Sequence, residues 1–215
     1  MFSVGTADAM FSGSAVAAIF LMKDLGTPVV RPIARDGTST YHAVIVARKG
    51  IPKFKGNADY FKGKRVIFTP LASAGEIFFR SLPGSMEVSA TIMKAPSHGA
   101  AIEILSQGTA DIAIVKNVVW DKLKAKYPSL VSVGEDTQEN PDNGLIVSKK
   151  ADAAAVSAVS VALLSLKGDA SPEARAVKNA MAIRGFTKTA TADFKHTLEL
   201  LKKAGVDKSF NFTFK

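Results

Sequence analysis

Three short loops contain the side chains of this sequence that are best suited to binding chemistry. They read Phe11-Ser12-Gly13-Ser14, Ala72-Ser73-Ala74-Gly75 and Ala95-Pro96-Ser97-His98-Gly99. Each loop leads into a predicted helix, and the first turn of a helix presents unpaired N–H groups that favour anions. Small residues let the backbone approach a ligand, and hydroxyl groups can donate hydrogen bonds. The loops therefore predict a ligand-binding site, although serines at such positions also act simply as helix caps.

Catalytic and metal chemistry find little support in the residue pattern. His42, His98 and His196 lack the spacing of a metal site, and a lone histidine such as His98 is commonly a surface or capping residue. The sequence has no Walker loop, no Gly-x-Ser-x-Gly motif and no paired-carboxylate motif. We interpret Trp120 and the phenylalanines between 210 and 214 as packing residues. The sequence thus predicts no enzyme activity, no catalytic residue, no metal and no cofactor.

Composition sets the outer limits. The 215 residues suffice for one large domain or two small lobes, and the absence of cysteine excludes disulfides and thiolate metal sites. The net charge of +9 is scattered, which predicts no nucleic-acid binding but is compatible with a small anionic ligand. The longest apolar stretch, 15–22, is far shorter than the roughly 18 residues of a membrane span. No signal-peptide pattern is present, so we expect either a cytoplasmic protein or a leader absent from this sequence.

The tetrapeptide Gly-Thr-Ala-Asp occurs twice, at Gly5–Asp8 and at Gly108–Asp111. The second copy follows a helix predicted over 100–105, with Gly108 at the helix end, and precedes a strand predicted over 112–115. In the first copy, Gly5 would end a helix whose body is missing, before a strand over 7–11 and a helix over 14–24. Because the context matches, the two copies mark equivalent helix–glycine–strand units.

The remaining pattern is typical of an α/β protein. It predicts strands over 28–33, 41–47, 65–69 and 144–148 and helices over 76–80, 151–166, 171–181 and 191–204. Strands come early and in the middle, while helices close the chain. That order indicates one sheet lobe inserted into another lobe that the C-terminus completes.

Longer motifs resemble one family over nearly the whole chain. They are Tyr41–Val46, Phe61–Val66, Ser73–Gly75, Ser97–Ala101, Gly108–Asp111, Asn140–Asn143 and Ile183–Phe186. In this order they are similar to the periplasmic phosphate/phosphonate-binding proteins of ABC importers. The resemblance implies a type II periplasmic-binding-protein fold, in which two α/β lobes joined by two hinge strands clamp a ligand between them.

The resemblance also implies lobe boundaries. Lobe I would comprise 1–42 and 149–215, and lobe II would comprise 43–148, with the crossings near 40–44 and 143–148. The family's first lobe opens with a strand–helix–strand–helix segment, on the order of 60 to 80 residues, that this sequence lacks. We therefore expect either a fragment of a longer chain or an incomplete lobe I, whose exposed sheet edge would allow pairing with a second copy as a homodimer.

The family's ligand-binding positions fall on residues of all three loops and on five further residues. The helix N-terminus that grips the anion falls on Ser73, Ala74 and Gly75, together with Ala72, and the histidine that contacts the phosphonyl oxygens falls on His98. The other positions are Ser12, Gly13, Ser14, Tyr41, Lys116, Asn117, Asp142 and Asn143, with Asp142 on the far side of the ligand. Where the family has consecutive hydroxyl residues, only Ser73 has one here, and Glu76 brings a negative charge into the first helical turn.

The function implied is that of a solute-binding component that delivers a phosphate- or phosphonate-like oxyanion to an ABC transporter permease. Its mechanism would be lobe closure about the hinge strands. The protein would be periplasmic or lipid-anchored at the cell surface, with its leader absent from this sequence. Two alternatives on the same fold stay open, a ligand-sensing regulatory domain and an enzyme of cofactor biosynthesis, because a fold does not settle function.

Overall fold

The computed structural model describes residue 2 and residues 6–70 and 72–212. The helix end predicted at Gly5, the loop residue Leu71 and the last phenylalanine of the C-terminal run lie outside the described residues. The chain divides into two compact units. The first unit comprises Met1–Thr40 and Asn140–Leu198, and the second comprises Tyr41–Glu139 and Glu199–Lys215.

The secondary structure alternates between strands and helices. The strands are β1 (Ala9–Ser12), β2 (Gly26–Ala34), β3 (Thr40–Tyr41), β4 (Ala43–Arg48), β5 (Arg65–Phe68), β6 (Thr91–Lys94), β7 (Ile112–Lys116), β8 (Leu130–Glu135), β9 (Asn140–Pro141), β10 (Gly144–Ser148) and β11 (Ile183–Lys188). The α-helices are α1 (Ser14–Met22), α2 (Ala74–Arg80), α3 (Ser85–Val88), α4 (His98–Ser106), α5 (Asn117–Leu123), α6 (Ala153–Ser165), α7 (Pro172–Ala180) and α8 (Lys195–Lys203). Short 3₁₀ turns cover Ala58–Phe61, Lys124–Lys126 and Thr191–Phe194.

The first unit contains a four-stranded sheet in the order β1-β10-β2-β11, with every pair antiparallel. Its core includes Val30, Leu145, Val147 and Phe186, against which helix α6 packs through one side. Strand β1 lies at one edge of this sheet. The whole of β10 is buried because it has a paired strand on each side.

The position of β10 differs from the expected lobe boundary. The expectation assigned 144–148 to lobe II, whereas the chain returns to the first unit at Asn140 and β10 pairs with β1 and β2. A fully buried strand of this kind is typical of a sheet centre, and the sequence does not reveal which of two sheets contains it. The expectation also gave the C-terminal segment to lobe I, whereas Glu199–Lys215 is grouped with the second unit.

The second unit contains a five-stranded sheet in the order β6-β5-β7-β4-β8. Strands β6, β5 and β7 are mutually parallel, and β4 runs antiparallel to β7 and β8. Its core joins β4, β5 and β7 to helix α4 through Val46, Ile67, Val115, Ile102 and Leu105, and Trp120 of α5 belongs to it as a packing residue. Because the three parallel strands end at one edge, the helices that follow them begin at that edge.

The repeated tetrapeptide lies in corresponding places. Asp111 directly precedes β7 and Asp8 directly precedes β1, and each of these strands leads into a helix. Gly108 has φ of +83° and its N–H donates to the Leu105 carbonyl, which is the predicted helix end. The Asp111 carboxylate accepts hydrogen bonds from the Arg65 backbone (2.8 Å) and guanidinium (2.7 Å). In the second copy, therefore, the aspartate fastens the start of β7 to β5.

Two predicted elements are divided in the structure. The strand expected over 41–47 is interrupted at His42, which separates β3 from β4, and the helix expected over 191–204 begins as a 3₁₀ turn before α8. Strands β3 and β9 form a two-stranded sheet of their own. Among the described residues, no helix is both long enough and apolar enough to cross a membrane.

Candidate functional site

Three helices of the second unit begin at the edge where its parallel strands end. Helix α2 begins at Ala74 after β5, α4 begins at His98 after β6, and α5 begins at Asn117 directly after β7. Open α/β sheets bind ligands at such an edge, because the strand ends and the helix N-termini converge there. The topology thus brings together the predicted loop at 72–75, His98, Lys116 and Asn117.

His98 is partly buried at the first position of α4. Its Nδ1 lies 3.5 Å from the hydroxyl of Thr69, the residue that directly follows β5. Burial, and secondly the positive charge of Lys116, lower the pKa of His98 from 6.5 to about 4. At neutral pH the imidazole is therefore uncharged, with one nitrogen that donates and one that accepts a hydrogen bond.

Lys116 provides the positive charge at the end of β7. Its ammonium lies 3.8 Å from the ring centroid of Tyr41, which is 2% exposed. A cation over an aromatic face is attracted by the electron-rich ring, and this contact orients the Lys116 side chain. Two of the predicted binding residues, Tyr41 and Lys116, are thus in direct contact within the second unit.

Asn117 connects helix α5 to the start of β4. Its Oδ1 accepts the His42 N–H at 3.1 Å, and its own N–H donates to the His42 carbonyl at 3.0 Å. The side-chain oxygen is therefore used by the backbone. His42 in turn lies 2.8 Å from a Glu139 carboxylate oxygen.

The start of α2 is held by its own side chains. Ser73 caps the helix by accepting the Glu76 N–H at 3.2 Å, and its hydroxyl donates to the Thr69 carbonyl. The Glu76 carboxylate is buried, accepts the Ala72 N–H at 2.9 Å and pairs with Arg80 at 3.2 Å. The acidic charge in this first turn is therefore compensated, and Ala72 takes a left-handed φ of +58° to complete the arrangement.

Gly75 lies where helix α2 packs closely against strand β7. A Cβ atom at this position would lie 2.1 Å from the Ile114 carbonyl oxygen and 3.2 Å from the Phe68 Cβ. Gly75 therefore permits close helix–sheet packing. Its N–H and that of Ala74 belong to the first helical turn and have no acceptor within the helix.

The polar loop of the first unit follows β1. Ser12 is 8% exposed, and its hydroxyl has no hydrogen-bond partner among the described residues. Gly13 precedes α1, which begins at Ser14 without a side-chain cap from Gly13. The Asn143 Oδ1 lies 3.6 Å from the position that a Cβ on Gly13 would take. Residues predicted from distant parts of the sequence thus meet at one end of β1.

Asp142 lies beside this loop in a tight turn. Its N–H donates to the Ser39 carbonyl at 2.9 Å, and its carboxylate accepts the Asn143 N–H at 2.8 Å. The turn fixes Asp142 and Asn143 relative to the first-unit sheet. Part of the hydrogen-bonding capacity of the Asp142 carboxylate is therefore used by the Asn143 N–H.

Sequence reasoning did not find Thr69, the residue that faces His98. The available signal was its place at the end of the predicted strand over 65–69, where a hydroxyl is common in binding loops and in caps alike. The described residues contain no group of three or more His, Cys, Asp or Glu side chains that could hold a metal ion.

The sheet edge of the second unit thus presents a neutral histidine, a lysine and the first-turn N–H groups of α2, a combination of groups suited to an anion. The family model for the periplasmic substrate-binding protein of ABC phosphonate transporters matches residues 1–194, so the chain belongs to that family. This is a family of transport proteins that bind substrates, and it is not an enzyme family. A comparison with curated proteins finds no match.

Solved structures share the fold at low sequence identity. XAC2383 from Xanthomonas citri, bound to ATP, has a TM-score of 0.75 at 17% identity, covering 94% of this chain and 79% of its own. PhnD1 from Prochlorococcus marinus, in complex with methylphosphonate, has a TM-score of 0.73 at 15% sequence identity. The match covers 95% of this chain and 80% of PhnD1. A binding-protein component of an ABC phosphonate transporter from Pseudomonas aeruginosa has a TM-score of 0.70 at 14% sequence identity. The match covers 94% of this chain and 70% of that protein. The protein therefore has the predicted type II periplasmic-binding-protein fold.

Proposed function

We propose that this protein binds a small phosphonate- or phosphate-like oxyanion and passes it to an ABC permease. The observation that carries the proposal is the convergence of His98, Lys116 and the start of α2 at the edge where the parallel strands end. Family membership supports it, and the related PhnD1 is complexed with methylphosphonate. The proposed activity is binding without chemical turnover, as in the family.

An oxyanion at this edge would receive three kinds of hydrogen bond. Lys116 would supply a charge-assisted donor, the His98 imidazole a neutral donor, and Ala74 and Gly75 two backbone N–H groups. Ser73 already caps α2, so its hydroxyl contributes chiefly by fixing the helix start. We therefore propose that affinity depends mainly on Lys116 and His98.

The first unit carries the other proposed ligand-binding residues. Ser12, whose hydroxyl has no hydrogen-bond partner among the described residues, is suited to hydrogen-bond a ligand oxygen, and Gly13 and Ser14 follow it at the start of α1. We propose that Asp142 and Asn143 bind the non-phosphoryl part of the ligand, since a carboxylate accepts hydrogen bonds and repels an oxyanion.

Isothermal titration calorimetry with methylphosphonate, 2-aminoethylphosphonate, phosphate and sulfate tests this proposal. We expect one phosphorus oxyanion to bind and to raise the melting temperature, because a ligand at a hundred times its dissociation constant adds about 2.7 kcal/mol. Lys116→Gln should weaken that binding by about tenfold or more, since a charge-assisted hydrogen bond is lost.

Lys122→Gln is the matched control, because Lys122 is exposed on α5 and its substitution removes the same charge. It should leave the affinity within about twofold, as expected for a screened surface charge. Absence of binding by all four anions, or equal losses in both lysine variants, would contradict the proposal.

We further infer a location outside the cytoplasmic membrane, either in the periplasm or anchored there by lipid, beside the permease. Family membership supports this location. Fractionation of cells that express the protein from its own gene, followed by release with lysozyme or with detergent, separates the two forms. Recovery in the cytoplasmic fraction alone would contradict the inference.

We also propose that the protein forms a homodimer through the β1 edge. Within the part of the chain that the structure describes, strand β1 has a paired strand on one side only, and Phe11 at this edge is 47% exposed. An edge strand presents unpaired backbone groups to a second copy, and an exposed aromatic adds apolar area to the contact.

A further inference from the structure

Five basic residues of the first unit line two adjoining cavities. One cavity, of about 460 Å³, is lined by Lys167, Arg184 and the hydroxyl residues Ser39 and Thr187. The other, of about 580 Å³, shares Lys167 and Arg184. It is lined in addition by Arg35, Arg175 and Lys178. Among the described residues, no carboxylate lines either cavity.

These cations are largely uncompensated by the protein. Within the described part of the chain, Arg35, Lys167, Arg175 and Arg184 form no ion pair. Lys178 donates to the Asp169 carbonyl at 2.6 Å and is coupled to the Asp169 carboxylate. Because neighbouring like charges repel, such a cluster stabilises bound anions and is itself stabilised by them.

Two glycines permit the close packing around Lys167 and Arg184, the two residues that line both cavities. Gly185 has φ of +150°, and a Cβ there would lie 2.6 Å from the Lys167 Cα, so only glycine lets the chain at Lys167 pack against β11. Gly37 has φ of +95°, and a Cβ there would lie 3.3 Å from a guanidinium nitrogen of Arg184. The backbone is thus shaped to place Lys167 beside β11 and Arg184 against the β2–β3 turn.

We propose that this cluster is a second anion site, separate from His98, for a ligand with two or more linked phosphate groups. A single phosphate would occupy one cavity. Linked phosphates would occupy both cavities, and Lys167 and Arg184, which line both, would contact the phosphate group in each. Arginine suits this ligand class because its planar fork matches two phosphate oxygens at once. The proposal does not depend on the function assigned to the His98 site.

Binding of inorganic tripolyphosphate, measured by calorimetry at 150 mM salt beside orthophosphate, tests the proposal. We expect tripolyphosphate to bind more tightly than orthophosphate, and the double variant Lys167→Gln/Arg184→Gln to weaken its binding by about tenfold or more. Lys53→Gln/Lys55→Gln is the control, because it removes the same charge from exposed positions of the second unit. It should change the affinity by about twofold or less.

Arg175→Gln serves as a milder variant, since Arg175 is exposed on α7 and its loss leaves the two glycine contacts intact. It should weaken tripolyphosphate binding by a few-fold while His98→Ala leaves it unchanged. Equal losses in the two double variants would overturn the proposal in favour of a net-charge effect. Loss in His98→Ala would assign tripolyphosphate to the other site. Failure to bind tripolyphosphate, with binding to phosphatidylglycerol vesicles through the same residues, would instead indicate a membrane surface.

Discussion

At the scale of the residue, His98 is the group whose charge state most affects the proposed site. Its pKa of about 4 results from burial and from Lys116, so the unfolded chain takes up a proton near pH 6.5 while the folded protein resists it. The free energy of unfolding should therefore fall as the pH decreases from 6.5 to 4, and the His98 contribution should be constant above 6.5.

Histidine NMR titration measures this shift directly. We expect His98 to titrate near pH 4 in the free protein and its pKa to rise when a phosphonate binds, because the anion stabilises the imidazolium. Lys116→Gln should raise the pKa of His98 in the free protein, since one lowering charge is removed. A free-protein His98 pKa near 6.5 would contradict the burial seen here.

Gly75 gives a second prediction at this scale, with Gly99 as a matched control. Both are the second residue of a helix at the same sheet edge. Gly75→Ala should destabilise the protein by about 3 kcal/mol, because its Cβ would lie 2.1 Å from the Ile114 carbonyl oxygen. Gly99→Ala should change stability by less than about 1 kcal/mol, because its nearest contact is at 3.6 Å. Urea unfolding of both variants measures these changes in the free energy of unfolding. Equal losses of stability in the two variants would contradict the packing argument.

At the scale of the element, the Asp111–Arg65 contact fastens β7 to β5. Hydrogen bonds from the Arg65 side chain hold the pKa of Asp111 below its ordinary value, so the stability that they supply is present above pH 4 and is lost as the pH falls through the lowered pKa. Since the pair is partly exposed, Asp111→Asn should cost only about 1 kcal/mol at pH 7.

Asp121→Asn is the control for this contact, because Asp121 pairs with Lys124 at a more exposed site. It should cost less than about 0.5 kcal/mol at pH 7. The difference between the two variants should shrink as the pH is lowered below 4 in urea titrations. A pH-independent difference would show that Asp111 acts through packing or hydrogen bonding and not through its charge.

The elements also show how far the sequence determines the fold. Buried apolar runs such as 112–115 and the glycine stop at Gly108 predict β7 and the end of α4 correctly, because their signals are local. Strand β6 was missed because Thr91–Lys94 is short and nowhere fully buried, and β8 because Gly134 interrupts its pattern. Gly134 is explained only by Phe54, whose Cβ would lie 2.5 Å from a Cβ at that position, a tertiary contact that no local rule reveals.

For the candidate site too, features set by local sequence were predictable and features set by tertiary contacts were not. The loop positions at Ser12, Ser73 and His98 were predictable from their place before helices, since strand ends and helix starts converge in an α/β sheet. What those side chains bind was not predictable. The contact of Lys116 with Tyr41, the use of the Asn117 oxygen by His42 and the compensation of Glu76 by Arg80 all join residues through tertiary structure.

At the scale of the whole molecule, the exposed apolar residues are unevenly distributed. Phe11, Val159, Val161, Val177 and Met181 are all in the first unit, whereas Ile51 is the one large apolar residue of comparable exposure described in the second. Helix α6 has no charged residue and no fully buried one. Surfaces of this kind are typical of contacts with another chain, so self-association should involve the first unit.

Phe11 is the residue through which this can be tested at the β1 edge. Phe11→Lys places a charge on an exposed edge strand, which blocks edge-to-edge pairing, while the protein loses only the tilted ring contact with Phe186 at 5.9 Å. We expect the native chain to sediment as a dimer at micromolar concentration and Phe11→Lys to dissociate at least about tenfold more readily, because about 1.4 kcal/mol of contact energy would suffice. Ile51→Lys, which adds the same charge to the second unit at 36% exposure, should leave the dimer intact. A native chain that sediments as a monomer throughout, or a dimer that Ile51→Lys weakens as much as Phe11→Lys does, would rule out the β1 edge as the interface.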